Sequence, residues 1–159
     1  MINVFLLLGS NLGDREFFLN KAIENIELTI SPVEKSSSLY ETAAWGTTGQ
    51  PDYLNQVIIV KTDLSAREVL ARVLAIELSL GRVREAKWDS RTIDIDILFY
   101  GADVINENDL EVPHPRLHLR RFTLEPLAEI AADFLHPVLR KTLLDLKNEL
   151  RDNLVVKKL

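Results

Sequence analysis

Two rhythms of apolar residues run along this chain, and they predict different elements. Residues 2–8 are almost continuously apolar and end at Gly9, the pattern of a strand covered on both faces. Ser10-Asn11-Leu12-Gly13-Asp14 follows, rich in turn and cap residues, so a helix is predicted over roughly 15–28. Its apolar face is Phe18, Ala22 and Ile26, with Leu19 and Ile23 beside them. Weak alternation over 34–42 and the stretch Tyr53–Thr62 predict two further strands. Between them, 43–51 is a loop with two glycines and a proline, and a long loop in a small domain is often functional.

Ser65 and Glu68 have capping-box spacing. They open a helix that keeps Leu70, Val73, Leu74, Ile76 and Leu80 apolar and stops at Gly81. A charged loop, 82–91, leads into a strand over Thr92–Tyr100. Val104-Ile105 and Glu111-Val112 suit a small hairpin, and helical segments are predicted near 119–131 and 139–150. The order β-α-β-β-α-β with a helical tail is the split βαβ arrangement of ferredoxin-like folds. The predicted class is therefore α+β, an antiparallel sheet with helices packed on one face and a C-terminal helical extension. No repeat, low-complexity stretch or linker interrupts it, so residues 1–159 are expected to form one domain.

Composition narrows the function classes. Hydrophobic residues make up 47% and charged residues 27% of the 159, which excludes wholesale disorder. A net charge of -5 argues against general nucleic-acid binding. The absence of cysteine excludes disulfides and thiolate metal sites. The apolar N-terminus has no basic leader and is too short to span a membrane, so a cytoplasmic protein is expected.

The sharpest chemical signal is Arg91-Thr92-Ile93-Asp94-Ile95-Asp96-Ile97-Leu98. On a strand, Ile93, Ile95 and Ile97 point one way, while Asp94 and Asp96 point the other, within about 7 Å of each other. In a half-buried site their repulsion must be relieved by protons or cations. Magnesium suits them: it takes one or two carboxylates and completes its shell with water and phosphate, and a pair of such ions can clamp a phosphoryl group. A solvated face of an edge strand accounts for the same alternation equally well.

Basic residues on both sides tip the balance. Arg82, Arg84, Lys87 and Arg91 precede the aspartates, and the stretch from Pro113 to Arg121 carries His114, Arg116, His118, Arg120 and Arg121 with no acidic residue. Metal plus guanidinium is how proteins hold polyphosphates. Neither a P-loop nor a Ser-His-Asp nucleophile is evident. Tyr53 and Asn55 alternate onto one face of their strand, with Trp45 in the loop before it, Trp88 in the charged loop and Phe122 after the second basic cluster. Such a set can stack a flat heterocycle and read its edge. Tyr53 and Phe122 as ordinary core is the simpler alternative.

Taken together, Gly9-Ser10-Asn11-Leu12-Gly13, Gln50-Pro51-Asp52-Tyr53-Leu54-Asn55, Gly81-Arg82-Val83-Arg84 and Arg91-Thr92-Ile93-Asp94-Ile95-Asp96 resemble the motifs of the 6-hydroxymethyl-7,8-dihydropterin pyrophosphokinases of folate biosynthesis, in the same order. The resemblance spans roughly the first four fifths of the chain. It implies transfer of diphosphate from ATP, the co-substrate, to the hydroxyl of a reduced pterin, with AMP released. By the same resemblance, Asp94 and Asp96 match ligands of two magnesium ions. Thr42, Trp45, Gly46, Tyr53, Asn55 and Phe122 match the pterin pocket. Glu77, Arg84, Trp88, His114 and Arg120 match positions used for ATP or the catalytic loop, and Arg82 and Arg91 match groups acting on the transferring diphosphate. The expected partners are these small molecules, with no nucleic acid and no membrane, and the expected state is a monomer. Asp89-Ser90 replaces the family's usual Gly-Pro, and Ala43-Ala44 stands where prolines are common. A different two-metal phosphotransfer enzyme and a non-catalytic ligand-binding module are the competing classes; the first does not need Tyr53 and Asn55, the second does not need paired carboxylates facing arginines.

Overall fold

The computed structural model of the protein describes residues 1–42, 52–81, 92–152 and 154–159. The apolar run becomes strand β1 (Ile2–Ser10), buried from Val4 onward. Asp14 accepts the Phe17 N–H and so caps helix α1 (Arg15–Thr29). The predicted 34–42 strand divides into β2 (Val33–Ser36) and β3 (Tyr40–Thr42). Ser37 causes the break: its N–H donates to the Val57 carbonyl and its hydroxyl accepts the Val57 N–H. Strand β4 (Tyr53–Thr62) precedes α2 (Ala66–Ser79), where both arms of the Ser65–Glu68 capping box are formed. Then come β5 (Asp94–Tyr100), a hairpin of β6 (Ile105–Glu107) and β7 (Leu110–Val112), α3 (Arg121–Ala131), α4 (Leu143–Glu149) and β8 (Val156–Lys158).

The main sheet is antiparallel throughout and runs β5-β1-β4-β3-β8, with β2 also paired to β4. Both edges of β1 are therefore occupied, and helices cover both of its faces, which is why its sequence is apolar on both. Val4, Leu6 and Leu8 pack with Leu19, Ala22 and Ile26 of α1 and Val69, Val73 and Ile76 of α2. Phe5 and Leu7 pack the other way, with Leu124 and Leu127 of α3 and Leu143 and Leu146 of α4. Helices thus cover both faces, not the one face expected; the tail folds back as a second layer because its own apolar residues have only that face left to bury. The tail also ends in a strand, β8, which covers the outer edge of β3. Among the described residues, no helix is long and apolar enough to cross a membrane.

A one-residue bulge divides β5. Phe5 faces Phe99 while Leu6 faces Ile97, leaving Leu98 as the extra residue. Leu98 and Phe99 both join the α3/α4 layer, where the Phe99 ring lies 5.3 Å from Phe5 and 4.8 Å from Phe134.

Glu129 fastens α3 to the sheet. It accepts from the Ser38 N–H (2.9 Å), the Ser38 hydroxyl (2.7 Å) and the Tyr40 hydroxyl (2.8 Å). Burial tends to raise its carboxyl, but these bonds outweigh burial and hold it below its ordinary range. A carboxyl lowered on folding contributes its stability above the unfolded value and loses it as pH falls through the folded one. Glu129→Ala should therefore lower the free energy of unfolding at neutral pH by about 1–3 kcal/mol. In urea titrations, the gap to the parent should narrow as pH falls below the ordinary carboxylate range. A gap that persists there would show that the charge is not what holds α3.

Candidate active site

The strand registers assemble the site. Asn55 of β4, Gly9 of β1 and Asp94 of β5 are consecutive partners, so they form one row across three strands. The next row holds Val57, Leu7 and Asp96. On the far side Thr42 faces Tyr53 and Tyr40 faces Asn55. Alternation puts all of these on the α3/α4 face, and the row places Asn55 roughly 10 Å from Asp94, two interstrand spacings. Asp94 and Asp96 remain half-exposed, while Ile93, Ile95 and Ile97 fill the opposite core. The even choice between a metal-type carboxylate pair and a plain solvated edge is narrowed by what surrounds them.

Gly9 is the open point of the row. A Cβ built there would lie 2.7 Å from Asn55 Oδ1 and 3.8 Å from a Tyr53 ring carbon. The missing side chain leaves room for the Asn55 amide, itself only 4% exposed. Thr42 is 3% exposed, and its hydroxyl has no hydrogen-bond partner among the described residues. A buried orphan of this kind favours a polar ligand atom. Arg15, from the first turn of α1, donates to the Asp52 carbonyl (3.0 Å) and pairs with Glu41 (2.8 Å). It ties together the ends of β3 and β4 that carry Thr42 and Tyr53.

Charges gather on the other side of Asp94 and Asp96. The Arg120 guanidinium lies 5.4 Å from the Phe122 ring. Burial lowers its pKa and Arg116 adds to this, while the negative charge of Asp96 opposes both. His114 is tied by its N–H to the Leu98 carbonyl of β5 (3.0 Å). Burial, then the charges of Arg120 and Arg116, push its imidazole down to about 4. Its Nδ1 accepts the Arg116 N–H (3.2 Å), so the neutral ring carries its proton on Nε2 and is a donor there. Glu77 is 3% exposed, and one of its oxygens accepts the Ile95 N–H at 2.7 Å. That bond holds the backbone between the two aspartates.

The structure thus groups Thr42, Tyr53, Asn55, Asp94 and Asp96 on one sheet face, with His114 bonded to β5, Arg120 within the field of Asp96, and Phe122 against Arg120 and the apolar cluster of that face. Glu77 supports β5 through its backbone. Trp45, Gly46, Arg82, Arg84, Trp88 and Arg91 lie outside the described residues, as do the 43–51 and 82–91 loops. Gly9 was not a sequence candidate for shaping the site; the available signal was a glycine ending an otherwise apolar strand. Among the described residues no group of three or more His, Asp or Glu side chains could hold a metal. Asp94 and Asp96 alone fit an ion that takes one or two carboxylates and draws its remaining ligands from water and phosphate.

Comparisons with known proteins agree on one family. Residues 5–132 match the model of 7,8-dihydro-6-hydroxymethylpterin-pyrophosphokinase, HPPK. A 2-amino-4-hydroxy-6-hydroxymethyldihydropteridine pyrophosphokinase of Aquifex aeolicus is 44% identical over 149 residues, covering 94% of this chain and 92% of that one. The protein of the same name from Bacillus subtilis is 43% identical over 127 residues, covering 79% and 76%. In fold, the chain is similar to a Plasmodium falciparum HPPK-DHPS with pterin and p-hydroxybenzoate, at a TM-score of 0.75 and 18% identity. That alignment covers 93% of this chain but only 43% of the Plasmodium one, so the chain spans less than half of that two-part protein.

Filling the gap at Gly9 tests the row directly. Gly9→Ala should cost about 1–3 kcal/mol of stability, the scale of overpacking a tight site. Adding Asn55→Ala removes the atom it strikes, so the pair in a double-mutant cycle should be less destabilised than the sum of the singles. Simple additivity in denaturant titrations would show that the two residues do not meet.

Proposed function

This chain belongs to the 7,8-dihydro-6-hydroxymethylpterin-pyrophosphokinase family, and we infer that it transfers diphosphate from ATP to 6-hydroxymethyl-7,8-dihydropterin in folate biosynthesis. The observation that carries this reading is the row from Asn55 through Gly9 to Asp94. It sets a group suited to reading a heterocycle about 10 Å from carboxylates suited to a polyphosphate, on one continuous face. A two-metal enzyme of another kind has no use for the first half of that row, and a passive binding module has none for the second.

In this reading the pterin lies between Tyr53 and Phe122, with Trp45 and Gly46 completing its pocket. The Asn55 amide reads its edge, and the buried Thr42 hydroxyl finds its partner there. The hydroxymethyl oxygen attacks the β-phosphorus of ATP. The new O–P bond forms as the bond from the β-phosphorus to the α,β-bridging oxygen breaks; that oxygen leaves on AMP and the hydroxyl proton is released. Asp94 and Asp96 would hold magnesium, two ions in this reading, which supplies neutralisation of the phosphate charge. Arg82 and Arg91 act on the transferring diphosphate, where preorganised charge counts most. Arg84, Trp88 and Arg120 hold the nucleotide. His114 donates from Nε2 to a phosphate oxygen as a neutral ring, which its lowered pKa favours at neutral pH. Glu77 acts by fixing β5 through the Ile95 N–H. We further read the order β5-β1-β4-β3, with α1 and α2 on one face, as the split βαβ arrangement. The whole chain is taken as one domain, working as a cytoplasmic monomer.

Incubation with ATP, magnesium and the reduced pterin should yield AMP and the pterin diphosphate. Production of ADP, or of AMP at the same rate without pterin, would overturn the assignment. Asp96→Ala should abolish turnover while retaining the parent's circular dichroism and melting point; near-normal activity would remove the carboxylate pair from the mechanism. Asn55→Ala should weaken pterin binding by about 1–3 kcal/mol and leave ATP binding nearly unchanged in calorimetry; equal losses for both ligands would refute the pocket.

A further inference from the structure

The 27 residues after Ala132 lie beyond the family match, which ends at 132, yet they reach both halves of the site. Helix α3 begins immediately beside two candidate site residues: Arg120 is its N-cap and Phe122 follows Arg121. Its own cap residue makes no side-chain capping bond. The missing acceptor comes from the tail. Asp152 Oδ2 accepts the Arg121 N–H at 3.0 Å, and the Asp152 carbonyl accepts the Arg121 Nε at 3.1 Å. The other carboxylate oxygen accepts the Leu154 N–H at 2.8 Å, which fixes the carboxylate in turn. A carboxylate at the positive end of a helix satisfies an orphan donor and complements the dipole. It does so here from 31 residues away in the chain.

The Arg121 guanidinium is held a second time, by Glu125 at 3.1 Å, and Glu125 also pairs with Lys147 of α4 at 3.2 Å. From Asp152 the chain continues to β8, where Val156 faces Thr42 and Lys158 faces Tyr40. One segment therefore grips the residue between Arg120 and Phe122 and then borders the strand that carries Thr42. We propose that Asp152 is a positioning residue for the pyrophosphokinase reaction: by capping α3 from the tail it sets where Arg120 and Phe122 stand, and so governs affinity for both substrates. The inference rests on the functional reading above, in which those two residues meet ATP and pterin.

The test compares Asp152→Ala, Asp152→Asn and a control, Thr142→Ala. Thr142 caps α4 by accepting the Asp145 N–H, so its loss removes a bond of similar kind that is not made to α3. Calorimetry is run with the magnesium complex of a non-hydrolysable ATP analogue and, separately, with the reduced pterin, alongside thermal melts and steady-state kinetics. Asp152→Ala should weaken both ligands about 3- to 10-fold, the effect of losing one cap, and raise both KM values by more than it lowers kcat. Asp152→Asn keeps an acceptor oxygen and should recover most of the affinity; should the Ala variant not fold, a smaller loss in the Asn variant with the same KM bias carries the test. Thr142→Ala should lower the melting point with both affinities intact. A lower melting point for Asp152→Ala with unchanged affinities would make Asp152 merely structural and overturn the proposal, as would equal affinity losses in the Thr142 control. Failure of the parent protein to bind either ligand would overturn the functional reading itself, and this inference with it.

Discussion

The site depends on the antiparallel register that β1 holds with both of its neighbours. Because Gly9 faces Asn55 on one side and Asp94 on the other, two chemically different groups from strands nearly 40 residues apart in sequence arrive in one line. Side chains alternate with a period of two, so a slip of one residue on either side of β1 would send Asn55 or the aspartates into the α1/α2 core. Ile93, Ile95 and Ile97, which alternate with the aspartates in β5 and fill the α1/α2 core, resist that slip, since moving them to the other face would expose them. Hydrophobic burial in one layer thus fixes polar geometry in the other.

The electrostatics follow from where the covering layers end. Helices α3 and α4 bury Phe5, Leu7, Val57 and Phe99 but leave Asp94 and Asp96 half-exposed. Arg120 and His114 then stand at the rim of that layer, where burial lowers both pKa values. For Arg120 the effect leaves its charge in place; for His114 it favours a neutral donor. A cation and a neutral N–H donor beside two carboxylates form a setting that accepts metal and phosphate together more readily than either alone.

Much of this was legible in the sequence because it depends on periodicity. The alternation of Ile and Asp from 93 to 97 put the aspartates on one face, the spacing of Tyr53 and Asn55 did the same for β4, and Ser65 with Glu68 marked the start of α2. What was not legible depends on distant partners. No local pattern says that Glu77 will receive the Ile95 N–H, that Glu129 will take the Tyr40 hydroxyl, or that Asp152 will cap a helix 31 residues before it. The tail was expected to be a helical extension, because its pairing with β3 is set by an open sheet edge and not by its own propensity. The three-residue break that starts at Ser37 escaped for a similar reason: it follows from reciprocal bonds with Val57, a partner 20 residues away.

The bulge at Leu98 has a bearing on how such a site can change over generations. Leu98 has no cross-strand partner in β1, so the pairing of Asp94 to Ile97 and the pairing of Phe99 and Tyr100 are separate zones joined by a slack residue. Changes in volume around Phe99 and the α3/α4 layer can be taken up at that joint before they reach the aspartates. Strand β5 therefore works like a shaft with a coupling: one end can be refitted to a drifting core while the other keeps its alignment to the chemistry.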